Sequence, residues 1–140
     1  MKILLDNSVV QRLPRSSEVS TAVRLLLDAG HTLCSSPISV LEAGYSARTS
    51  IDHRDIVANL TRSFELLRFD HSTGDLAVAL QAALFEAGTG RSVGVMDLFS
   101  AACAIEHGAH LVHYDSDFDK LAKAWSPFHQ SWIVPRGSVS

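Results

Sequence analysis

Five acids in this chain stand at places where chemistry is possible: Asp6, Glu42, Asp97, Asp115 and Asp117. Asp6 closes the apolar run Lys2-Ile3-Leu4-Leu5, and Asp115 and Asp117 follow His110-Leu111-Val112-His113-Tyr114. Asp97 opens the run Leu98-Phe99-Ser100-Ala101-Ala102, and Glu42 interrupts Ile38-Ser39-Val40-Leu41 and Ala43. Several carboxylates a few ångströms apart repel one another strongly in a low-dielectric pocket. Such a cluster keeps its charge only against something positive. Oxygen donors without paired His or Cys select Mg²⁺ or Mn²⁺ rather than zinc. One or two such ions can deprotonate a water, align it with a phosphodiester and stabilise the entering and leaving oxygens. No side-chain general base is then required, and none of the seven histidines has a Ser, Cys or second His at a spacing that suggests one.

Each acid also has a plainer explanation. Asp6 fits a turn after a strand, Asp97 fits a helix N-cap, and Asp115-Ser116-Asp117 is ordinary turn and cap chemistry. Glu42 fits this account least, because an unpaired carboxylate on an apolar helix face is costly. Its alternative is an exposed place on the rim, since Glu is a good helix former. The joint pattern carries the metal-site reading.

The elements that must position these acids alternate strand and helix. Strands are expected at Lys2–Leu5, His31–Ser35, Arg68–Asp70, His110–Tyr114 and Ser131–Val134. Helices are expected over Glu18–Ala29, from Pro37 (capped by Ser36) to about Arg48, and from Asp52 through Ile56, Leu60, Phe64 and Leu67. Further helices run from a capping box at Ser72-Thr73-Gly74-Asp75 to Gly88, from Asp97 to Gly108, and over Phe118–Ala124. Strands separated by helices imply parallel pairing, hence a three-layer α/β/α domain around a parallel sheet of four to five strands. In such a sheet, sites form beyond the carboxyl ends of the strands, where all these acids can meet.

A chain of 140 residues fits one domain, residues 1–140, with enough length for a normal core. The 46% hydrophobic and 19% charged content is that of a folded protein. Cys34 and Cys103 sit in apolar runs and read as core thiols in a reducing compartment. The N-terminus does not read as a signal peptide, and no apolar stretch approaches the roughly 20 residues of a membrane span. A cytoplasmic protein is expected, with no membrane partner. A net charge of −3 gives no bulk attraction for nucleic acid, so an RNA site would depend on local arginines.

Four blocks together resemble the PIN domains, specifically the VapC-type toxins of bacterial toxin–antitoxin pairs. They are Ile3-Leu4-Leu5-Asp6-Asn7-Ser8, Ser36-Pro37-Ile38-Ser39-Val40-Leu41-Glu42, Gly94-Val95-Met96-Asp97-Leu98-Phe99-Ser100-Ala101-Ala102, and Glu106 through Phe118 with His113-Tyr114-Asp115-Ser116-Asp117. The resemblance implies a Mg²⁺- or Mn²⁺-dependent endoribonuclease that halts translation and is held inactive by a cognate antitoxin, commonly as a homodimer. It makes Asp6, Glu42, Asp97 and Asp115 the acids of the metal site, with Asp117 as a further acidic position. Ser8 matches a small hydroxyl position that holds a water on the metal.

Two positions depart from the family pattern. Asn7 stands where Thr is frequent, and His113 stands where Thr is usual two residues before Asp115. Both bear on the hydrogen bonding behind the acids and leave open which of Asp115 and Asp117 is the nearer ligand. His113 could touch a phosphate or simply end its strand. Arg12, Arg15, Arg48 and Arg91 lie in or near loops beside the blocks and are candidates for RNA contact, each with an ordinary surface arginine as its alternative. Two other functions fit less well. A receiver-like signalling domain needs paired acids after the first strand and a suitably placed late Lys. A PIN fold without catalysis, binding RNA or antitoxin, would not need all four acids.

Overall fold

Three central strands are each too apolar to face water on either side, and their burial follows from that. The computed structural model describes all 140 residues. Strand β1 (Lys2–Leu5) leads through the single turn α1 (Asn7–Val10) to α2 (Ser17–Asp28) and β2 (Thr32–Ser35). Helices α3 (Pro37–Tyr45) and α4 (Ser50–Ser63) lead to the two-residue strand β3 (Glu65–Leu66). Then come α5 (His71–Glu86), α6 (Val95–Glu106), β4 (His110–His113), α7 (Asp117–Ala124) and β5 (Gln130–Trp132). No helix is long and apolar enough to cross a membrane.

The strands form one parallel sheet in the order β3-β2-β1-β4-β5. Side chains alternate across it. Leu4, Cys34 and Leu111 face the larger core, which α5, α6 and α7 fill with Leu80, Leu84, Leu98, Phe118 and Leu121. Ile3, Leu5, Leu33 and Val112 face the smaller one, closed by Val9, Val19 and Val23 from α1 and α2. Helices on both faces give the expected three layers. Truncating a fully buried leucine such as Leu111 or Leu84 to alanine would cost about 2–5 kcal/mol. Both cysteines are free and buried.

Capping places the helices. Ser36 caps α3 by accepting from the Ser39 N–H, and Pro37 takes the first turn, where its missing donor costs nothing. Gly30, at φ 88°, ends α2, with the His31 N–H reaching back to the Leu26 carbonyl.

Besides the unexpected single turn α1, three elements differ from the sequence expectation. The third strand is Glu65–Leu66, not Arg68–Asp70, because α4 stops at Ser63 and Phe64 turns extended. The capping box before α5 pairs Asp70 with Thr73, two residues earlier than Ser72 with Asp75. Helix α6 starts at Val95 with Gly94 as N-cap, so Asp97 lies inside the first turn instead of capping it.

Candidate metal centre

The strand order places the site. From β1 the chain moves outward to β2 and β3, then returns to lay β4 on the other side of β1. The crevice at the carboxyl ends of β1 and β4 is therefore a topological switch point, where loops diverge and leave room for a ligand.

Asp6 follows β1 directly and is 4% exposed. Its N–H continues the sheet by donating to the Val112 carbonyl at 3.0 Å. Its Oδ2 accepts from the Ser8 N–H at 2.9 Å, which caps α1 and fixes the carboxylate at the crevice. Helix α3 runs away from the end of β2 and carries Glu42 half-buried, with Oε1 enclosed and without a hydrogen-bond partner. Helix α6 begins at the same rim and brings Asp97 down in its first turn. Asp115 follows β4, and Asp117 opens α7. Asp115 Oδ1 accepts from the Asp117 N–H at 2.9 Å, so the two acids share one tight turn.

Oxygen atoms of Asp97, Asp115 and Asp117 all lie within 4.8 Å of one another. Burial pushes the Asp97 carboxyl up to about 7, and the neighbouring charges of Asp6, Asp115, Asp117 and Glu42 add to the rise. Burial likewise raises Glu42, helped by Asp6 and Asp115. The five acids thus share one electrostatic environment. A single side-chain cation pairs with any of them, Lys120 with Asp117 at 2.9 Å. The buried side-chain polar atoms without partners are Asn7 Oδ1, Ser35 Oγ, Glu42 Oε1 and Ser100 Oγ. All four belong to the elements around this rim: α1, the end of β2, α3, and α6 one turn beyond Asp97. A set of oxygens, mutually repelling and partly unsatisfied, fits a hard, hydrated divalent cation.

Residues 3–124 match the PIN domain family. This chain belongs to that family. It is 37% identical over 139 residues to Ribonuclease VapC51 of Mycobacterium tuberculosis, covering 99% of this chain and 98% of that protein. The fold is similar to that in VapBC-1 from nontypeable Haemophilus influenzae, with a TM-score of 0.76 at 19% identity over 95% of this chain and 98% of the other. It is also similar to VapBC-5 from Mycobacterium tuberculosis, described as a member of the VapBC family of toxin-antitoxin systems, with a TM-score of 0.60 at 21% identity over 94% of this chain and 97% of the other.

The remaining candidate residues of this PIN domain divide by what already holds them. Ser8 Oγ accepts from the Tyr114 N–H at 2.9 Å, which ties the Asp6 turn to the Asp115 turn. His113 is fully buried and bonded within the protein, so no phosphate can reach it. Arg12 is engaged as well. It donates to the Ser8 carbonyl at 2.6 Å and the Ser140 carbonyl at 3.0 Å, and its guanidinium lies 4.4 Å from the Tyr114 ring centre. Arg15, Arg48 and Arg91 are exposed and form no ion pair.

Sequence reasoning missed the support behind the acids. Gln130, Trp132 and Tyr114 contact His113, Asp119 and Arg12 through pairings that only the fold creates. Asp119, close to Asp117 in sequence, turns away and accepts from Trp132 Nε1 at 2.9 Å.

Proposed function

We propose that this PIN domain is a Mg²⁺- or Mn²⁺-dependent endoribonuclease, the toxin of a toxin–antitoxin pair, which inhibits translation by cutting RNA. The observation that carries the reading is the meeting of five acids at the switch point, with Asp97 pushed up to about 7 by burial and by its neighbours. Support comes from the ribonuclease name of its 37%-identical relative and from the toxin–antitoxin complex with the same fold.

Asp6, Glu42, Asp97 and Asp115 would hold the ion, with Asp117 beside them. When bound, the ion supplies the positive charge that lowers a water's pKa and stabilises the oxygens of a phosphodiester under attack. The chain's own residues do the positioning. The Ser8 N–H keeps Asp6 aimed at the crevice, and the turn at Asp115 presents two carboxylates side by side. Binding an ion demands ionised ligands and would release the proton that Asp97 holds near neutral pH. Of the four candidate arginines, Arg15, Arg48 and Arg91 are the ones left free to meet RNA phosphates. Residues 1–140 would act as one domain in the cytoplasm, as a homodimer, silenced by a cognate antitoxin.

The test incubates the purified chain with structured RNAs in Mg²⁺, Mn²⁺ or EDTA, beside Asp6→Asn and Asp97→Asn. Cleavage should need the ion and fall at least 100-fold in both folded variants, as expected for loss of a metal ligand. Cleavage that survives chelation, or that both variants retain, would sink the reading.

A further inference from the structure

His113 is the largest fully buried polar side chain in the molecule, at 0% exposure, and it stands two residues before Asp115. Its ring has a job that the choice of donors and acceptors fixes. The Asp115 backbone N–H can only donate, and it points at His113 Nδ1 at 3.1 Å. Nδ1 must therefore be the unprotonated acceptor, which leaves Nε2 to carry the hydrogen. Nε2 faces Gln130 Oε1 on the edge strand β5, an acceptor that matches this tautomer. The imidazole is held between Phe118 at 4.9 Å and Trp132 at 5.3 Å between ring centres. Trp132 is also its register partner across the sheet.

The hydrogen bonds then run in series: Gln130 Oε1 takes the Nε2–H, Nδ1 takes the Asp115 N–H, and Asp115 Oδ1 takes the Asp117 N–H. We propose that His113, held in its Nε2–H tautomer by Gln130, is a positioning residue that sets the Asp115–Asp117 turn, so that edge strand β5 governs one half of the acid site. Asp6, Glu42 and Asp97 hang from other elements, of which the Asp6 turn alone is tied to this one, through the Tyr114 N–H to Ser8 Oγ bond. The effect on ion binding rests on the metal reading above; the effect on the turn does not.

The test uses the ¹⁵N-labelled full-length chain. Two-bond ¹H–¹⁵N spectra of the histidines should show His113 protonated at Nε2, with Nδ1 as acceptor. An Nδ1–H tautomer would overturn the inference whatever the ion does. Mn²⁺ affinity, read by electron paramagnetic resonance, is then compared in His113→Leu, His113→Asn and Gln130→Leu, alongside thermal unfolding. Leucine keeps the volume and loses the acceptor. Asparagine loses volume but can accept from an N–H two residues on.

A merely structural histidine ranks the variants by packing, with Leu above Asn. Positioning ranks Mn²⁺ binding the other way: about tenfold weaker for His113→Leu and within about threefold of wild type for His113→Asn, as for other groups behind metal ligands. Gln130→Leu should fall between them. Leucine binding Mn²⁺ as tightly as wild type, or asparagine failing to restore it, would refute the proposal. If the wild-type chain bound no Mn²⁺ at all, the metal reading would fall. The tautomer and the loss of the Asp115 amide shift in His113→Leu would still decide this inference.

Discussion

The two rims of the sheet handle charge in opposite ways. At the amino rim, Lys2 meets Glu65 at 2.6 Å with both side chains nearly half exposed, and the Met1 amine meets His31 Nδ1 at 3.3 Å. His110 pairs with Ser131 Oγ at 2.9 Å. The ion pair there is exposed to water, and the other polar groups are dispersed in separate hydrogen bonds. At the carboxyl rim five acids gather against one ammonium, and two of them carry carboxyls raised chiefly by burial. The contrast shows that acid clustering is not a general habit of this chain but a local burden, borne where the loops diverge. Repulsion of that kind is retained at functional sites and compensated elsewhere in a fold.

Three measurements would break or sharpen this contrast. The largest effect should come from the ion. At pH 8, Mg²⁺ or Mn²⁺ at 100 times its dissociation constant should stabilise the chain by about 2.7 kcal/mol, read as a rise in melting temperature. Asp97→Asn should remove most of that gain, while His31→Ala at the amino rim should leave it intact. Equal losses from both variants would mean that the two rims do not differ.

A middle-sized effect is expected from pH alone. Asp97 has a folded value of about 7, above the 3.8 of an ordinary aspartate. The folded state therefore binds the extra proton between those values, and stability from this group is full below about pH 4 and lost as pH rises through about 7. The gain in melting temperature between pH 8 and pH 5 in the metal-free chain should exceed that of Asp97→Asn by on the order of 5 °C, which sets aside the opposing contribution of the half-buried His110 and the buried His113. Asp97→Asn should flatten that slope. An unchanged pH dependence in Asp97→Asn would contradict the burden at the carboxyl rim. The smallest effect should follow Lys2→Ala, whose exposed pair is screened by water: a change within roughly 2 °C, tested by the same melts.

Much of this architecture could be read in the chain because burial and sequence pattern coincide. The apolar runs of β1, β2 and β4, the serine cap and proline of α3, and Gly30 after α2 are local signals. The misplaced pieces lacked such signals. Strand β3 is two residues long and has no pattern of its own; its pairing with Cys34 and Ser35 makes it a strand. Helix α1 is one turn, too short for periodicity, and exists because Asp6 caps it. Two cap positions were misread because neighbouring residues, Ser72 beside Asp70 and Asp97 beside Gly94, are equally plausible caps by type. The acids were legible as residues at strand ends and on one helix face. What surrounds them was not: Arg12 reaches Ser140 across 128 residues and His113 reaches Gln130 across 17, contacts that no window of sequence contains.

The bond from the Tyr114 N–H to Ser8 Oγ joins residues 106 apart, and β1 pairs with β4 over a similar span. During synthesis at about 5–20 residues per second, roughly 5–20 s separate the appearance of those two partners. For that interval β1 keeps one edge open, and Asp6 stands without Asp97, Asp115 or Asp117. The emerging amino-terminal part can fold its strand pairs before the acids meet. The chain therefore reaches its most repulsive contact only as α6, β4 and α7 arrive, the same elements that complete the two cores.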